Sequence, residues 1–272
     1  MLAALLLLQG CGLIDRFAHH GSAVHKTLGS SKRNPELSNY EPPELIDPLP
    51  SPIGAESSRD IAVCSHKLAI PREVLALADA TNFGNRLQND HWGRQLTAEP
   101  RIIVIHETVL SKDSTIKLFK TPHISDDEQV SYHLIIGRDG LLYRIVPDEN
   151  RAYGAGMSAF GDVTQRSKPG AVGSINNISL HISLVSPEGG QDGTDAHSGY
   201  TVPQYHTLAS QVLLWQGKYG IPLTRVTTHA SVDRSHSRYD PRSFRWDYFD
   251  REYHLAAKRC GWERFDKHEA SI

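Results

Sequence analysis

The feature that most constrains the fold is a short, nearly continuous β-branched run at positions 101–105, which leads into His106. An apolar run of this length is typical of a strand that is covered on both faces. His106 stands at the end of the predicted strand, where a side chain can face a cleft. The run therefore predicts a buried strand whose last side chain is available for chemistry.

Strand and helix patterns alternate along the rest of the chain. The predicted strands span residues 129–136, 141–146, 178–185 and 224–228, and an Asp-Gly turn joins the first two as a hairpin. The predicted helices span residues 111–119, 201–219 and 242–258. Residues 150–173 are Gly-rich and aperiodic, which predicts a loop over the site. This order predicts an α/β fold with a mixed central β-sheet covered by helices.

Side-chain patterns indicate how these elements face their neighbours. In the strand predicted at 178–185, Ser179, His181 and Ser183 share one face, which could line a cleft, while the apolar face must pack. Ser111 or Asp113 could cap the first helix, and a capping box begins the second. The last helix places three aromatic residues at a spacing that predicts inward packing: Trp246, Phe249 and Tyr253.

The N-terminal segment has the pattern of a lipoprotein-type signal. Residues 1–8 form an apolar run that is too short to span a bilayer as a helix. The following Leu8-Gln9-Gly10-Cys11 resembles a bacterial lipobox, although no Lys or Arg precedes the run and a plain secretory signal is the alternative. The predicted division is a signal and lipobox at 1–11, a Pro-rich tether at 12–59 and a globular domain at 60–272.

The cysteine count allows one disulfide, and the net charge bears on whether the chain binds nucleic acid. If Cys11 carries a lipid, Cys64 and Cys260 remain in an oxidising compartment, either as a disulfide or as two separate buried thiols. The formal net charge of the 272 residues is −2, and no aromatic-interleaved basic patch occurs. Nucleic-acid binding is therefore not expected.

Two histidines and one aspartate form a candidate metal site. His106 and His229 each end a predicted strand, and Asp240 lies eleven residues after His229. Two imidazole nitrogens and one carboxylate oxygen leave the fourth position of Zn2+ open, as catalytic zinc sites require. Zinc held in this way activates water and polarises a carbonyl, which is the chemistry of amide hydrolysis. Asp233 is the rival for the carboxylate ligand.

Several separated motifs are similar to those of one known family, in the same order. They are Val104-Ile105-His106, the hairpin at 130–140, Asn177-Ile178-Ser179-Leu180, Thr228-His229 and Arg238-Tyr239-Asp240-Pro241. On these motifs, residues 101–262 resemble the type 2 N-acetylmuramoyl-L-alanine amidases, which include AmpD-like enzymes, phage amidase lysozymes and peptidoglycan recognition proteins. The resemblance implies that residues 60–272 form a zinc amidase domain of the peptidoglycan recognition protein-like architecture, with His106, His229 and Asp240 as ligands of Zn2+.

The chain departs from the family pattern close to the expected site. Ser183 stands where AmpD-like members have a glutamate that acts as general acid/base, and Gly154 stands where many members have a histidine. Tyr132 is similar to the hairpin tyrosine of the phage and recognition-protein members, which also lack the glutamate. Arg238 replaces a common lysine, and because arginine cannot donate a proton at neutral pH, its implied role is to stabilise the developing oxyanion.

The identity of the proton carrier stays open after these substitutions. His181 shares a strand face with Ser183 and is one candidate. Glu107 is the other, although in a regular strand it would point away from the face that His106 occupies. If neither serves, the task falls to water or Tyr132.

The resemblance implies zinc-dependent hydrolysis of the amide bond between N-acetylmuramic acid and L-alanine in peptidoglycan or muropeptides, for cell-wall remodelling or recycling. A non-catalytic peptidoglycan-binding recognition protein is the alternative. A serine hydrolase is not expected, because the chain has no Gly-x-Ser-x-Gly motif. A lipid at Cys11 implies a location in the periplasmic cell envelope, anchored to the outer membrane.

Overall fold

The computed structural model describes Leu49 and residues 52–266 of the 272-residue chain. The expected signal, the lipid anchor at Cys11 and most of the expected tether lie outside the described residues. No helix within the described part is long and apolar enough to cross a membrane.

Residues 52–266 form five α-helices and eight strands. The helices are α1 (Ser58–Leu68), α2 (Lys112–Lys120), α3 (Val202–Tyr219), α4 (His229–Val232) and α5 (Trp246–Cys260). The strands are β1 (Val74–Leu75), β2 (Phe83–Asn85), β3 (Ile102–Glu107), β4 (Leu134–Ile136), β5 (Leu142–Arg144), β6 (Asn150–Ala152), β7 (Ser179–Leu184) and β8 (Val226–Thr228).

Six of these strands form one mixed sheet in the order β1-β5-β4-β7-β3-β8. The β4–β5 pair is antiparallel, whereas the other neighbouring strands are parallel. β3 and β7 pair along their whole length, so that Val104 lies opposite His181 and His106 lies opposite Ser183. The expected α/β fold with a mixed central sheet and covering helices is confirmed.

Strand β3 is buried on both faces, as the run at 101–105 predicts. Ile103 and Ile105 face the main core, to which α1, α3 and α5 contribute, whereas Ile102 and Val104 pack on the opposite side in a smaller apolar cluster. His106 follows this alternation and shares the face of Val104. The metal-site candidate therefore lies on the side of the sheet opposite the main helical core.

Strand β7 has the alternation that the sequence predicts. Leu180, Ile182 and Leu184 pack in the main core. His181 and Ser183 are equally buried but lie on the other face, beside His106. The polar face of β7 is thus directed to the candidate site.

The caps of α2 and α3 confirm two sequence predictions. Ser111 caps α2 and accepts a hydrogen bond from the backbone N–H of Ser114. Thr201 and Gln204 form the capping box of α3, and Gly220 ends that helix in the left-handed conformation with φ 66°. Both helices begin where a side-chain oxygen satisfies a free backbone N–H.

The last helix begins later than the sequence predicts. It spans Trp246–Cys260 instead of 242–258, and Arg242 belongs to the segment that precedes it. Phe249 and Tyr253 are buried as expected, but the expectation that Trp246 packs inward is wrong, because 42% of it is exposed. As the first residue of the helix, Trp246 lies at the edge of the core and contacts Phe249 edge-on.

Two segments differ from their predicted form. The hairpin strands are shorter than 129–136 and 141–146, with only three residues each in β4 and β5. The stretch at 150–173 is mostly loop but begins with β6, which pairs antiparallel with β2 in a separate two-stranded sheet. Strands of three residues are too short to leave a periodic pattern, so the sequence could not indicate them.

The N-terminal part of the described chain packs against the domain. The backbone N–H of Ile53 donates to the carbonyl of Gly220 at 2.9 Å, and that of Glu56 donates to Gly217 at 2.7 Å. Helix α1 then begins at Ser58 and contacts α3 and α5. Residues 52–59, assigned to the tether in the predicted division, thus have ordered contacts with the globular part.

Cys64 of α1 and Cys260 of α5 form a disulfide, with 5.1 Å between their Cα atoms. The choice between a bridge and two separate thiols, which the sequence leaves open, is thereby decided. The bridge joins the first and last helices of the described domain.

Removing this disulfide should lower the free energy of unfolding by about 5 kcal/mol, because a bridge that closes so long a loop reduces the conformational entropy of the unfolded chain. We expect the Cys64→Ser, Cys260→Ser chain to show this loss in urea denaturation while keeping the native far-UV spectrum. The wild-type chain under reducing conditions should show the same loss. Equal stability of the oxidised wild type and the double variant would contradict the bridge.

Candidate metal centre

His106 lies near the end of β3, and its imidazole is completely buried. Nδ1 of the ring is 3.3 Å from an Asp240 carboxylate oxygen, and Nε2 is 3.0 Å from Nδ1 of His181. The strand holds the backbone on both sides through its pairing with β7 and β8. The imidazole is therefore oriented by a rigid element and two side-chain neighbours.

His229 is delivered to the same place by the neighbouring strand. It follows β8 directly and begins the short helix α4, which Thr228 caps. Its Nδ1 lies 2.9 Å from the second carboxylate oxygen of Asp240. Since β3 and β8 are parallel neighbours, their C-terminal ends bring His106 and His229 together.

Asp240 approaches from the segment that follows α4. Its carbonyl accepts a hydrogen bond from the backbone N–H of Ala230 at 2.9 Å, which ties this segment to the start of α4. The backbone N–H of Glu107 donates to a carboxylate oxygen of Asp240 at 3.4 Å. Asp240 is thus anchored at both its backbone and its side chain.

The donor atoms of His106, His229 and Asp240 all lie within 4.8 Å of one another. Within the described residues, neither Nδ1 atom makes a properly directed hydrogen bond, although both rings are buried. Buried nitrogen atoms without hydrogen bonds, aimed at one carboxylate, are what a metal ion would satisfy. Two imidazoles and a carboxylate fit Zn2+ with an open fourth position.

The electrostatics also suit a metal. Burial lowers the pKa of His106 to about 4, so the ring is neutral at pH 7 and its lone pair is available for coordination. Burial by itself raises the pKa of the Asp240 carboxyl, but the neighbouring His229 and His106 rings outweigh it and hold that pKa below the ordinary value. The site thus presents the neutral ring of His106 and an ionised carboxylate.

Asp233, the rival ligand, is occupied by its own loop. One carboxylate oxygen accepts hydrogen bonds from the backbone N–H and the hydroxyl of Ser235. The other accepts from the backbone N–H groups of Ser237 and Arg238 at 2.8 and 2.9 Å. Asp233 therefore shapes the loop that carries Arg238, while Asp240 is the carboxylate in the cluster.

Tyr132 and Arg238 both reach the site. The ring of Tyr132 stacks on that of His106, with 4.4 Å between centroids, and meets Phe119 edge-on. Arg238 is partly exposed and borders the same pocket as Tyr132, His229 and Asp240. The structure thus brings together the five candidates His106, His229, Asp240, Tyr132 and Arg238.

The other two candidates are placed differently. His181 contacts His106 from behind and is absent from the pocket wall. The Glu107 carboxylate forms an ion pair with the buried Arg242 and accepts hydrogen bonds from Tyr200 and His197, both at 2.8 Å. Glu107 borders the pocket, but its carboxylate is held by these three partners.

Arg242 is a residue that sequence reasoning missed. Besides the ion pair with Glu107, its guanidinium donates to the carbonyls of Gly190, Asp192 and Thr194. It thereby connects the segment after Asp240 to the loop after β7. No local pattern in the sequence indicates such a role, because its partners lie 48 to 135 residues away.

A pocket of about 330 Å³ opens onto His229 and Asp240. Its wall is largely apolar, with Leu118, Phe119 and Val130 on one side, whereas Arg238 supplies a positive charge. A mostly apolar cleft with a few convergent polar groups is typical of a small-molecule or substrate site. The candidate metal site thus lies where a substrate group could reach it.

The chain was compared with families of known proteins, with curated proteins and with solved structures. A family model described as N-acetylmuramoyl-L-alanine amidase matches residues 96–243. None of the curated proteins compared with the chain matches it.

Three solved structures are similar to the chain. A selenomethionine derivative of AmpD is 23% identical and covers 68% of this chain and 94% of its own, with a TM-score of 0.45. The amidase LysC from Clostridium intestinale is 19% identical and covers 67% of this chain and 99% of its own, with a TM-score of 0.42. The amidase AmiD from E. coli, in complex with an anhydro-N-acetylmuramic acid peptide substrate, is 20% identical. It covers 58% of this chain and 60% of its own, with a TM-score of 0.45.

Proposed function

Because the chain belongs to the N-acetylmuramoyl-L-alanine amidase family, whose model matches residues 96–243, we propose that it hydrolyses the amide bond between N-acetylmuramic acid and L-alanine in peptidoglycan or muropeptides, with Zn2+ as its cofactor. The observation that carries the proposal is the convergence of His106, His229 and Asp240 within 4.8 Å beside the pocket. Zinc bound there supplies a Lewis acid that polarises a carbonyl and activates water.

The chain's own residues orient the substrate and stabilise charge. Arg238 lines the pocket, and its positive charge can attract the negative charge that develops on the scissile carbonyl oxygen. Asp233 holds the backbone of Arg238 through the hydrogen bond to its N–H. The largely apolar wall limits water around these groups, which strengthens their electrostatic effect.

Proton transfer is assigned to Tyr132 or to water. Tyr132 borders the pocket and packs against His106. The Glu107 carboxylate is engaged by Arg242, and His181 lies behind His106, so neither presents an available group to the substrate. The position that carries a glutamate in AmpD-like members holds the buried Ser183 hydroxyl.

We also propose that the enzyme acts in the periplasm, attached to the outer membrane by a lipid on Cys11. The apolar run at 1–8 and the lipobox-like Leu8-Gln9-Gly10-Cys11 support this location. Labelling of cells with radioactive palmitate should mark the wild-type chain and leave Cys11→Ser unlabelled. Equal labelling of both chains would contradict the anchor.

Digestion of purified sacculi tests the proposed reaction. We expect mass spectrometry to show free stem peptides that begin at L-alanine when Zn2+ is present and none when a chelator removes it. Asp240→Ala serves as the inactive control. Product that forms equally with chelator would contradict the metal, and cleavage at another bond would contradict the substrate assignment.

A non-catalytic peptidoglycan-binding protein is the second candidate. Ser183 favours it, because this buried hydroxyl cannot replace the carboxylate of AmpD-like members as an acid or base. In the same experiment, a protein that sediments with sacculi and releases no peptide at any zinc concentration would establish this function in place of hydrolysis.

A further inference from the structure

The face of the sheet that carries His106 holds a second buried histidine beside it. His181 lies on β7, two residues before Ser183, which is opposite His106, and the side chains of His181 and His106 are fully buried. Nδ1 of His181 is 3.0 Å from Nε2 of His106. The two rings are therefore within hydrogen-bond distance through the nitrogen of His106 that points away from Asp240.

The direction of this hydrogen bond follows from the role of His106. Its Nδ1 faces Asp240 and His229, and a nitrogen that binds a metal carries no proton. The ring proton of His106 is then on Nε2, which donates to Nδ1 of His181. His181 in turn carries its proton on Nε2.

We propose that His181 is a positioning residue that accepts this hydrogen bond and thereby fixes the orientation and tautomer of the metal ligand His106. The inference rests on the proposed zinc site and extends it. It assigns His181 no contact with substrate, because His181 does not border the pocket.

His133 holds the ring of His181 in place. The backbone N–H of His181 donates to Nδ1 of His133 at 2.9 Å, and the backbone N–H of His133 donates to the carbonyl of His181 at the same distance. The two rings are nearly parallel, with 5.7 Å between centroids and 10° between planes. His181 thus has a fixed backbone and one face packed against a second buried ring.

Gly154 leaves the space that the ring of His181 occupies. A Cβ atom at Gly154 would lie 2.8 Å from Nδ1 of His181 and 3.1 Å from the ring of Tyr132. The backbone of Gly154 is held by a hydrogen bond from its N–H to the side chain of Asn176, which lies in the turn before β7. Since the loop cannot easily retreat, even an alanine would press on the nitrogen that faces His106.

The arrangement fits the general behaviour of metal sites. A ligating histidine nearly always donates its second ring N–H to a fixed acceptor, and loss of that acceptor weakens metal binding about 10- to 100-fold. Carboxylates, carbonyls and waters are the usual acceptors. Here the nitrogen of another fully buried imidazole lies in that position.

Zinc affinity of the full chain, measured by competition with a chromophoric chelator, tests the proposal without relying on activity. His181→Leu removes the acceptor and should weaken binding about 10- to 100-fold. His181→Asn can place an amide oxygen near the position of Nδ1 and should restore most of the affinity. Gly154→Ala leaves His181 in the chain but displaces its imidazole ring, so this variant should also bind zinc more weakly than the wild type.

Matched controls and a spectrum separate positioning from general damage. His206→Leu removes a histidine that pairs with Glu252 on the outer helices, and Gly189→Ala adds a methyl group in open space. Both should bind zinc as the wild type does. With Co2+ as the probe, His181→Leu should alter the visible absorption bands of the bound metal, whereas both controls should keep them.

The outcomes distinguish this inference from the proposed function. A wild type that binds zinc, with unchanged affinity in both His181→Leu and Gly154→Ala, would overturn the role of His181 and leave the amidase proposal intact. Equal losses in His181→Leu and His181→Asn would also overturn it, because the acceptor atom would then be irrelevant. A wild type that binds neither Zn2+ nor Co2+ would refute the metal site and the inference together.

Discussion

Replacing Asp240 by alanine should abolish zinc binding. Loss of one oxyanion donor lowers kcat about 10²- to 10³-fold, and the loss of amide hydrolysis in this variant should be larger. The carboxylate is the anionic member of the cluster with His106 and His229, and both imidazoles face it. Without it, only two imidazole ligands remain, which is too few for a catalytic zinc site.

Asp233→Ala is the matched control, because it removes a carboxylate only seven residues away. Its oxygens accept hydrogen bonds from the loop of Ser235, Ser237 and Arg238, so its loss should loosen that loop and leave about one zinc per chain. Atomic emission measures the zinc content of both variants, and the release of peptides from sacculi measures their hydrolysis. Zinc retained in Asp240→Ala and lost in Asp233→Ala would reverse the assignment of the ligand.

Replacing Arg238 by alanine should raise the barrier to hydrolysis by about 3 to 4 kcal/mol, which corresponds to a loss of roughly 10²- to 10³-fold in kcat. Arg238 borders the pocket together with His229 and Asp240, where negative charge on the carbonyl oxygen would develop. It belongs to none of the zinc-binding groups, so the metal content should not change. Arg238→Lys should keep part of the rate, since it preserves the positive charge.

Arg234→Ala is the control for charge on the same loop. Arg234 is exposed and donates to the carbonyls of Ser231 and Gly161, away from the pocket wall. Its variant should keep kcat within about twofold, as surface substitutions usually do. An unchanged kcat in Arg238→Ala, or an equal loss in both variants, would reject the role given to Arg238.

The fold was readable from the sequence where elements are long or strongly patterned. The run at 101–105, the alternation at 178–185 and the capping box at Thr201 each appear in the structure as β3, β7 and α3. Burial imposes a period on the side chains of such elements, so the period survives in the sequence. The short pair β2 and β6 left no period and was missed.

The candidate ligands were also named from the sequence, because strand ends and motif order are local features. What each neighbouring group does was not readable in this way. Glu107, a candidate proton carrier by its position next to His106, has its charge paired with Arg242 at a separation of 135 residues. His181, another candidate proton carrier, instead contacts His106 across the β3–β7 pair.

The sequence by itself determined the fold class, the order of its main elements, and the two histidines and two alternative aspartates from which a metal site could form. Only the tertiary structure decided that Cys64 pairs with Cys260 and that Asp240, not Asp233, joins the two histidines. It alone also placed His181 behind His106. The physical reason is that periodicity and capping depend on neighbours in the chain, whereas a disulfide, a ligand cluster or a buried hydrogen bond depends on distances between remote segments.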